Sequence, residues 1–154
     1  MHVQEFIPSG SVVTNLKPNS KRQLLQELAI FAAARSGQAE RTIFETLLQR
    51  ERLGSTGVGK GVAIPHGRIA GLDRIHGIFA RLAKPIDFDA IDDMPVDLVC
   101  VLLAPEGSGA EHLKALSRVA RLLRDEHRIE RLRDSGTPDA LYTILTEERS
   151  ADAA

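Results

Sequence analysis

Residues 97–103, with the sequence DLVCVLL, form the most apolar run of the chain, and Pro105 ends it. A run of this length without polar alternation is typical of an interior strand that is covered on both faces. The single cysteine of the sequence, Cys100, lies in this run, and we interpret it as a small buried hydrophobe rather than a reactive thiol. The chain must therefore place other layers on both sides of this strand.

Apolar residues at helical spacing precede and follow this strand. Ser20 or Asn19 is the expected N-cap of the first helix, and Gly37 lies past its end. Thr137 and Pro138 are typical of an N-cap and a first helical residue. Helices are predicted over residues 21–34, 39–53, 109–124, 126–133 and 138–147.

Shorter segments, rich in β-branched residues and punctuated by Gly and Pro, predict further strands at 11–14, around Val62 and Ile64, and between Ile75 and Leu82. Helices at both ends with strands between them indicate an α/β domain in which the sheet lies between helices. With 154 residues, of which 43% are hydrophobic, the chain is expected to form a single domain over residues 1–154. Residues 149–154 are expected to be a loose tail.

The composition argues against several classes of function. The formal net charge is −1 and the chain has five Phe, one Tyr and no Trp, which predicts no nucleic-acid binding. No apolar segment approaches the roughly 20 residues of a membrane span, and the N-terminus lacks the pattern of a signal peptide. We therefore expect a cytoplasmic protein without membrane insertion, whose partner is a neutral small molecule or another protein. Arginines that alternate with acidic residues over 118–134 are typical of a solvated, mixed-charge face.

The glycine-rich stretch 54–61 (GSTGVGKG) contains most of a nucleotide-binding P-loop. A working P-loop follows a strand, opens a helix and has Ser or Thr after its lysine. Here the stretch follows a predicted helix, Gly61 takes the place of the hydroxyl residue, and Pro65 prevents a helix from continuing past Lys60. Nucleotide binding is therefore not the expected function of this segment.

His66 is the remaining candidate in this region, at the point where a short strand that ends in Pro65 becomes a loop. Taken alone, a histidine in this position is more often a hydrogen-bonded structural residue than a functional one. An imidazole that titrates near 6.5 is also a competent nucleophile near neutral pH.

The whole segment 51–68 (ERLGSTGVGKGVAIPHGR) resembles the active-site signature of the fructose, mannitol and nitrogen-regulatory class of IIA proteins of the bacterial phosphoenolpyruvate-dependent phosphotransferase system, most of all its nitrogen-regulatory branch. The resemblance continues at 85–88 (PIDF), 95–97 (PVD) and 109–113 (GAEHL). It implies a three-layer α/β sandwich with a central mixed sheet flanked by helices. It also implies that His66 accepts a phosphoryl group from a phosphohistidine on an HPr-like carrier, without cofactor or metal.

The same resemblance implies a second histidine and an arginine beside the acceptor, which correspond to His112 and Arg52. Without the resemblance, His112 is better explained as an ordinary surface or cap-region residue, and Arg52 is explained equally well as an exposed cation at a helix end. For Ser55 and Thr56, phosphate contacts and turn roles both remain open, and Lys60 fits a phosphate contact or an exposed loop. Structural or surface roles are expected for the other histidines, His2, His76 and His127.

Two functions are compatible with this resemblance. The first is a regulatory protein that engages partners according to its phosphorylation state. The second is a sugar-transport component that passes phosphate to a fructose- or mannitol-type IIB domain. Because the sequence contains no IIB-like segment and no membrane portion, we expect the regulatory role.

Overall fold

The computed structural model describes residues 1–148; the expected loose tail, 149–154, lies outside the described residues. Within residues 1–148 the chain forms six strands and five α helices after a short 3-10 turn at Val3–Glu5. The helices are α1 (Lys21–Ser36), α2 (Glu40–Arg52), α3 (Gly109–Leu122), α4 (Glu126–Asp134) and α5 (Pro138–Thr146). The strands are β1 (Val12–Leu16), β2 (Gly57–Gly59), β3 (Val62–Ala63), β4 (His66–Ile69), β5 (His76–Ile86) and β6 (Val96–Pro105).

The helix ends carry the capping residues that the sequence predicts. The Ser20 hydroxyl accepts the Gln23 N–H at 3.1 Å at the start of α1, and Gly37 follows its end with φ of 76°. The Thr137 hydroxyl accepts the Ala140 N–H at 3.2 Å and Pro138 opens α5. These caps satisfy backbone groups that a helix leaves unpaired at its ends, which explains why the predicted boundaries are confirmed within a few residues.

The sheet is mixed, with the strand order β1-β5-β6-β3-β2 and with β4 also paired to β6. Three pairs are parallel (β1 with β5, β3 with β6, β4 with β6) and two are antiparallel (β5 with β6, β2 with β3). The segments predicted between Ile75 and Leu82 belong to one continuous long strand, β5. The strand order is a result of the structure, since the sequence pattern does not predict it.

Strand β6 lies at the centre of this sheet and is covered on both faces. Its side chains alternate between two apolar clusters, with Val99, Val101 and Leu103 on the α1–α2 side and Leu98, Cys100 and Leu102 on the side of α3, α4 and α5. This alternation follows from the two-residue period of a strand. The three-layer α/β sandwich is thus confirmed. Cys100 is 1% exposed, and burial raises the pKa of its thiol to about 12, as expected for an unreactive core residue.

Strands β3 and β4 lie one after the other along β6 and are separated by Ile64 and Pro65. Val62 pairs with Leu98 and His66 pairs with Leu102, so both strands run along the same neighbour. Pro65 has no N–H to donate, but its carbonyl accepts the Leu102 N–H at 3.0 Å and leads the chain back to β6. His66 is therefore the first residue of a strand, not a residue where a strand becomes a loop as we expected.

The mixed-charge segment 118–134 is only partly solvated. Arg128 is 2% exposed, and its guanidinium donates to the Glu147 carbonyl at 3.0 Å, beyond the last turn of α5. Arg133 donates to both carboxylate oxygens of Asp97, at 2.9–3.1 Å. These arginines join α4 to its neighbours, which charge alternation along one helix does not reveal. None of the helices in residues 1–148 is long and apolar enough to cross a membrane.

Candidate active site at His66

An open groove of about 640 Å³ lies where β4 passes between α2 and α3. Its lining comes from those three elements: Thr46, Gln49, Arg50 and Leu53 of α2 and its C-cap; His66, Gly67 and Arg68 of β4; Gly109, His112, Leu113 and Leu116 of α3. A second cavity, of about 710 Å³, lies between the N-terminus and α3 and shares only Leu113 with the groove. The groove contains His66, the residue that the sequence singles out.

His66 is half-buried, and its ring is oriented by its own backbone. The Nδ1 atom lies 2.8 Å from the carbonyl oxygen of Ile64. Because a carbonyl can only accept, Nδ1 carries the proton in the neutral ring and Nε2 keeps a free lone pair. Burial lowers the pKa of His66, and the Arg50 charge lowers it further against the opposing effects of the Ile64 bond and Glu51. The imidazole is therefore neutral, with Nε2 unprotonated, at neutral pH.

Gly67 allows α2 to approach the strand that carries His66. A Cβ atom at Gly67 would lie only 2.5 Å from Cγ2 of Thr46 on α2, closer than side-chain atoms can pack. Since alternate residues of a strand face opposite sides, Gly67 faces α2, and His66 and Arg68 project to the other face. The glycine thus lets α2 lie directly against β4.

The structure brings His112 to His66. His112 lies in α3, its N–H donates to the Ser108 carbonyl at 2.8 Å, and the residue is 5% exposed. Its ring meets the His66 ring edge-on, with centroids 5.6 Å apart and an interplanar angle of 70°. Burial, followed by the charges of His66 and Arg68, lowers the pKa of His112. The two rings therefore form a pair that favours the neutral state.

The structure does not bring Arg52 into the groove. Arg52 is exposed at the end of α2, whereas Arg50 lines the groove and its guanidinium donates to the Gly54 carbonyl at 2.8 Å. Two residues along an α helix are separated by about 200° around its axis, so Arg50 and Arg52 face nearly opposite directions. The arginine of the groove is therefore Arg50. Arg50 follows Thr46 by four residues and precedes Leu53 by three. This helical spacing places it on the same face of α2 as these two groove residues.

Arg68 is a second groove arginine that our reading of the sequence missed. Its Nε atom donates to Nδ1 of His112 at 3.4 Å. The signal for Arg68 was available, since residues i and i+2 of a strand share a face and Arg68 is two residues after His66. The contact between Arg68 and His112 could not be predicted from the sequence, because 44 residues separate the two positions.

The helix-to-strand loop behind the groove is held by a buried carboxylate, Glu51. Its oxygens accept the Thr56 N–H at 3.0 and 3.1 Å, the Thr56 hydroxyl at 2.6 Å and the Lys21 ammonium at 3.1 Å. The Ser55 hydroxyl donates to the Phe88 carbonyl at 3.0 Å. Ser55 and Thr56 thus make turn and packing contacts. Of the two roles that the sequence leaves open, a phosphate contact and a turn role, we observe the turn role.

The other polar residues that we considered lie outside the groove. Lys60 has a φ of 57° and pairs with Glu126 of α4 at 2.6 Å. His2 lies 2.9 Å from Glu148, His76 lies 3.6 Å from Asp73, and neither lines the groove. His127 is exposed in the first turn of α4. Residues 1–148 contain no group of three or more His, Cys, Asp or Glu side chains placed to hold a metal ion.

Comparison with known proteins gives a consistent picture. Residues 5–148 match the family described as "Phosphoenolpyruvate-dependent sugar phosphotransferase system, EIIA 2". A "Nitrogen regulatory protein" of Bradyrhizobium diazoefficiens is 55% identical over 145 residues, which cover 94% of this chain and 95% of that protein. One of the same name from Pseudomonas aeruginosa is 38% identical over 148 residues, covering 96% of each. The crystal structure of "Nitrogen Regulatory Protein IIA-Ntr" from Neisseria meningitidis superposes with a TM-score of 0.88 at 38% identity, covering 94% of this chain and 99% of that one.

Proposed function

The chain belongs to the EIIA 2 family of the phosphoenolpyruvate-dependent sugar phosphotransferase system, whose members are phosphotransferases, and on this premise we propose that it accepts a phosphoryl group on His66. The donor is the phosphohistidine of a small HPr-like carrier protein. The observation that carries the proposal is the free Nε2 of His66 in a groove that also contains Arg50, Arg68 and His112. No nucleotide, metal or organic cofactor enters the reaction, because the donor already holds an activated phosphoryl group.

The reaction is a transfer between two imidazoles. The lone pair of His66 Nε2 attacks the phosphorus, a new N–P bond forms, and the N–P bond of the donor breaks with its electron pair returning to the donor ring. His66 keeps the proton on Nδ1 and becomes an imidazolium, while the donor ring, protonated on its other nitrogen, leaves as a neutral imidazole. No proton needs to enter or leave. The Ile64 carbonyl, 2.8 Å from Nδ1, accepts a hydrogen bond from this more acidic N–H and stabilises the charged product.

The groove surrounds the phosphoryl oxygens with donors. Phosphoryl transfer requires mainly positioning and charge stabilisation from a protein, and guanidinium groups suit phosphate oxygens. Arg50 supplies such a group from the α2 wall of the groove, whereas the Nε of Arg68, on the β4 wall, donates to His112. Gly109 places the beginning of α3 in the lining, where free backbone N–H groups favour an anion. The charge of the transferring group is therefore shared among several donors.

We propose that the chain uses its phosphorylation mainly to regulate partner proteins. Leu53 is 85% exposed and Leu113 is 65% exposed, one on each side of the groove, so a docking protein would bury both. Phosphorylation would place between them a phosphoryl group with a charge of roughly −1.5 to −2, by analogy with hydroxyl phosphates, which the imidazolium charge of His66 partly offsets. A partner that fits the cationic groove would then be repelled or recruited according to the phosphorylation state. The relatives named as nitrogen regulatory proteins support this role over transport, and we propose the cytoplasm as its location.

A second candidate function is suggested by the description of the family, which names a sugar phosphotransferase system. In that role the chain would pass its phosphoryl group to a fructose- or mannitol-type IIB domain. Capture of partners with the phosphorylated and the unphosphorylated protein separates the two roles. A set of partners restricted to one sugar permease would contradict regulation.

The direct test is incubation with enzyme I, carrier and phosphoenolpyruvate, followed by intact-mass measurement under conditions that preserve acid-labile phosphate. We expect a gain of one phosphoryl group in the native chain and in His127→Ala, whose side chain lies outside the groove. We expect none in His66→Ala. A phosphoryl gain in His66→Ala as large as in the native chain would overturn the proposal.

A further inference from the structure

Arg68 crosses the groove from β4 to the beginning of α3. Its Nε donates to Nδ1 of His112 at 3.4 Å, and its Nη2 would lie 3.6 Å from a Cβ placed on Gly109. Arg68 itself is exposed, whereas His112 is 5% exposed. An exposed cation thus reaches one nitrogen of a buried ring.

This contact selects a tautomer. A guanidinium has donors only and does not lose its proton in proteins, so the atom that it contacts must be an acceptor. Nδ1 of His112 is therefore unprotonated, and in a neutral imidazole the proton must then lie on Nε2. Burial, with the charges of His66 and Arg68, lowers the pKa of His112 and keeps the ring neutral.

The other nitrogen of His112 has no partner. Its Nε2 is buried, and no group in residues 1–148 forms a hydrogen bond with it. Buried side-chain donors are nearly always paired, so an unpaired one calls for a ligand that would complete it. The His112 ring lies edge-on to the His66 ring, with centroids 5.6 Å apart, and both residues line the groove.

We propose that Arg68 is a positioning residue, which holds His112 in the tautomer with Nε2–H so that this N–H donates to a phosphoryl oxygen on His66. The inference rests on the proposed phosphorylation of His66. It adds to that proposal the residue, Arg68, that fixes the tautomer of His112. Arg68 acts here through a neighbouring ring. The contact between Arg68 and His112 is already present in the unphosphorylated protein. His112 is therefore held in this tautomer before the carrier binds.

The tautomer can be measured without any phosphoryl transfer. Long-range ¹H–¹⁵N correlation spectra of the unphosphorylated protein distinguish an imidazole with Nε2–H from one with Nδ1–H. We expect the Nε2–H pattern for His112 in the native chain and in Arg68→Lys, whose ammonium also only donates. In Arg68→Met, which keeps the apolar stem, we expect a mixture of tautomers. Arg124→Met, which removes an exposed arginine outside the groove, is the matched control and should resemble the native chain.

Transfer kinetics then test the consequence. We expect the single-turnover rate of phosphorylation to fall about 10-fold in Arg68→Met, as for partial loss of one transition-state donor, and to recover in Arg68→Lys. In a His112→Ala background, Arg68→Met should have little additional effect, because two residues that act through one contact are not additive. An Nδ1–H tautomer in the native protein, or fully additive effects in the double variant, would overturn the inference. Failure of His66 to become phosphorylated would overturn the proposed function and leave the tautomer result standing.

Discussion

The Nδ1 atom of His66 lies 2.8 Å from the carbonyl oxygen of Ile64, two residues earlier in the same chain. This local contact decides which ring nitrogen faces the groove as an acceptor. Pro65 separates the two residues, and its carbonyl accepts the Leu102 N–H of β6. The local backbone thus sets the orientation of the proposed nucleophile.

We expect the phosphoryl group on Nε2 of His66, since Nδ1 is occupied by its bond to Ile64. Long-range ¹H–¹⁵N spectra of the phosphorylated protein separate the two isomers by the nitrogen that couples to phosphorus. A phosphoryl group on Nδ1 would show that the Ile64 contact is broken in the product and would contradict this prediction.

Arg50→Ala should slow the transfer to His66 by about 10²-fold, because it removes a fork of donors to the phosphoryl oxygens. Arg52→Ala, two residues later on the opposite side of α2, should change the rate by less than about twofold, since it leaves every transition-state donor in place. Single-turnover rates with a phosphorylated carrier measure both. If the two variants lost equal activity, the orientation of the end of α2 would be different from the one we describe.

The two lowered histidine pKa values predict how stability depends on pH. Since the unfolded imidazoles titrate near 6.5 and the folded ones below it, the unfolded state binds more protons between these values. The contribution is complete above about pH 6.5 and is lost as the pH falls toward the folded pKa values. Urea unfolding across this window should give a free energy of unfolding that declines as the pH falls.

The double variant His66→Gln and His112→Gln provides the control for this pH dependence, because it removes both titrating rings. Its free energy of unfolding should decline less over the same window. An equal decline in both proteins would assign the effect to other groups.

Gly67→Ala should destabilise the protein by about 1–3 kcal/mol, because its new Cβ meets the Thr46 methyl group at 2.5 Å. Thr46→Ser removes that methyl group and keeps the hydroxyl bond to the Thr42 carbonyl at 2.7 Å, so the double variant should regain most of the loss. Chemical denaturation measures the free energies of unfolding. Gly107→Ala, with no atom within 4 Å of the new Cβ, serves as the control and should stay within about 0.5 kcal/mol. Additive losses in the double variant would contradict the proposed clash.

Glu51→Gln should cost about 2 kcal/mol of stability, because hydrogen bonds from Thr56 and Lys21 lose their charged acceptor in a buried place. Glu45→Gln is a comparable change in an exposed pair, in which Glu45 accepts from Arg41 at 3.0 Å, and should cost about 0.3–0.5 kcal/mol. Thermal or urea unfolding of both variants checks this difference. Equal small losses would mean that the Glu51 network does not hold the loop.

Local patterns in the sequence determined much of this protein. The uninterrupted apolar run around Cys100 required layers on both faces of one strand, and Ser20 and Thr137 marked helix starts, because caps and burial depend on neighbouring residues. The motif around Pro65 and His66 likewise indicated the ring that we propose as the phosphoryl acceptor.

Only the tertiary structure decided which side chains surround that ring. The packing of α2 on Gly67 fixes the rotation of this helix about its axis. Since each residue along a helix turns the side chain by about 100°, Arg50 enters the groove and Arg52, two residues later, faces away from it. Arg68 reaches His112 because α3 begins beside β4, although 44 residues of chain lie between them. Such contacts depend on the relative placement of whole elements, and no local pattern of residues encodes that placement.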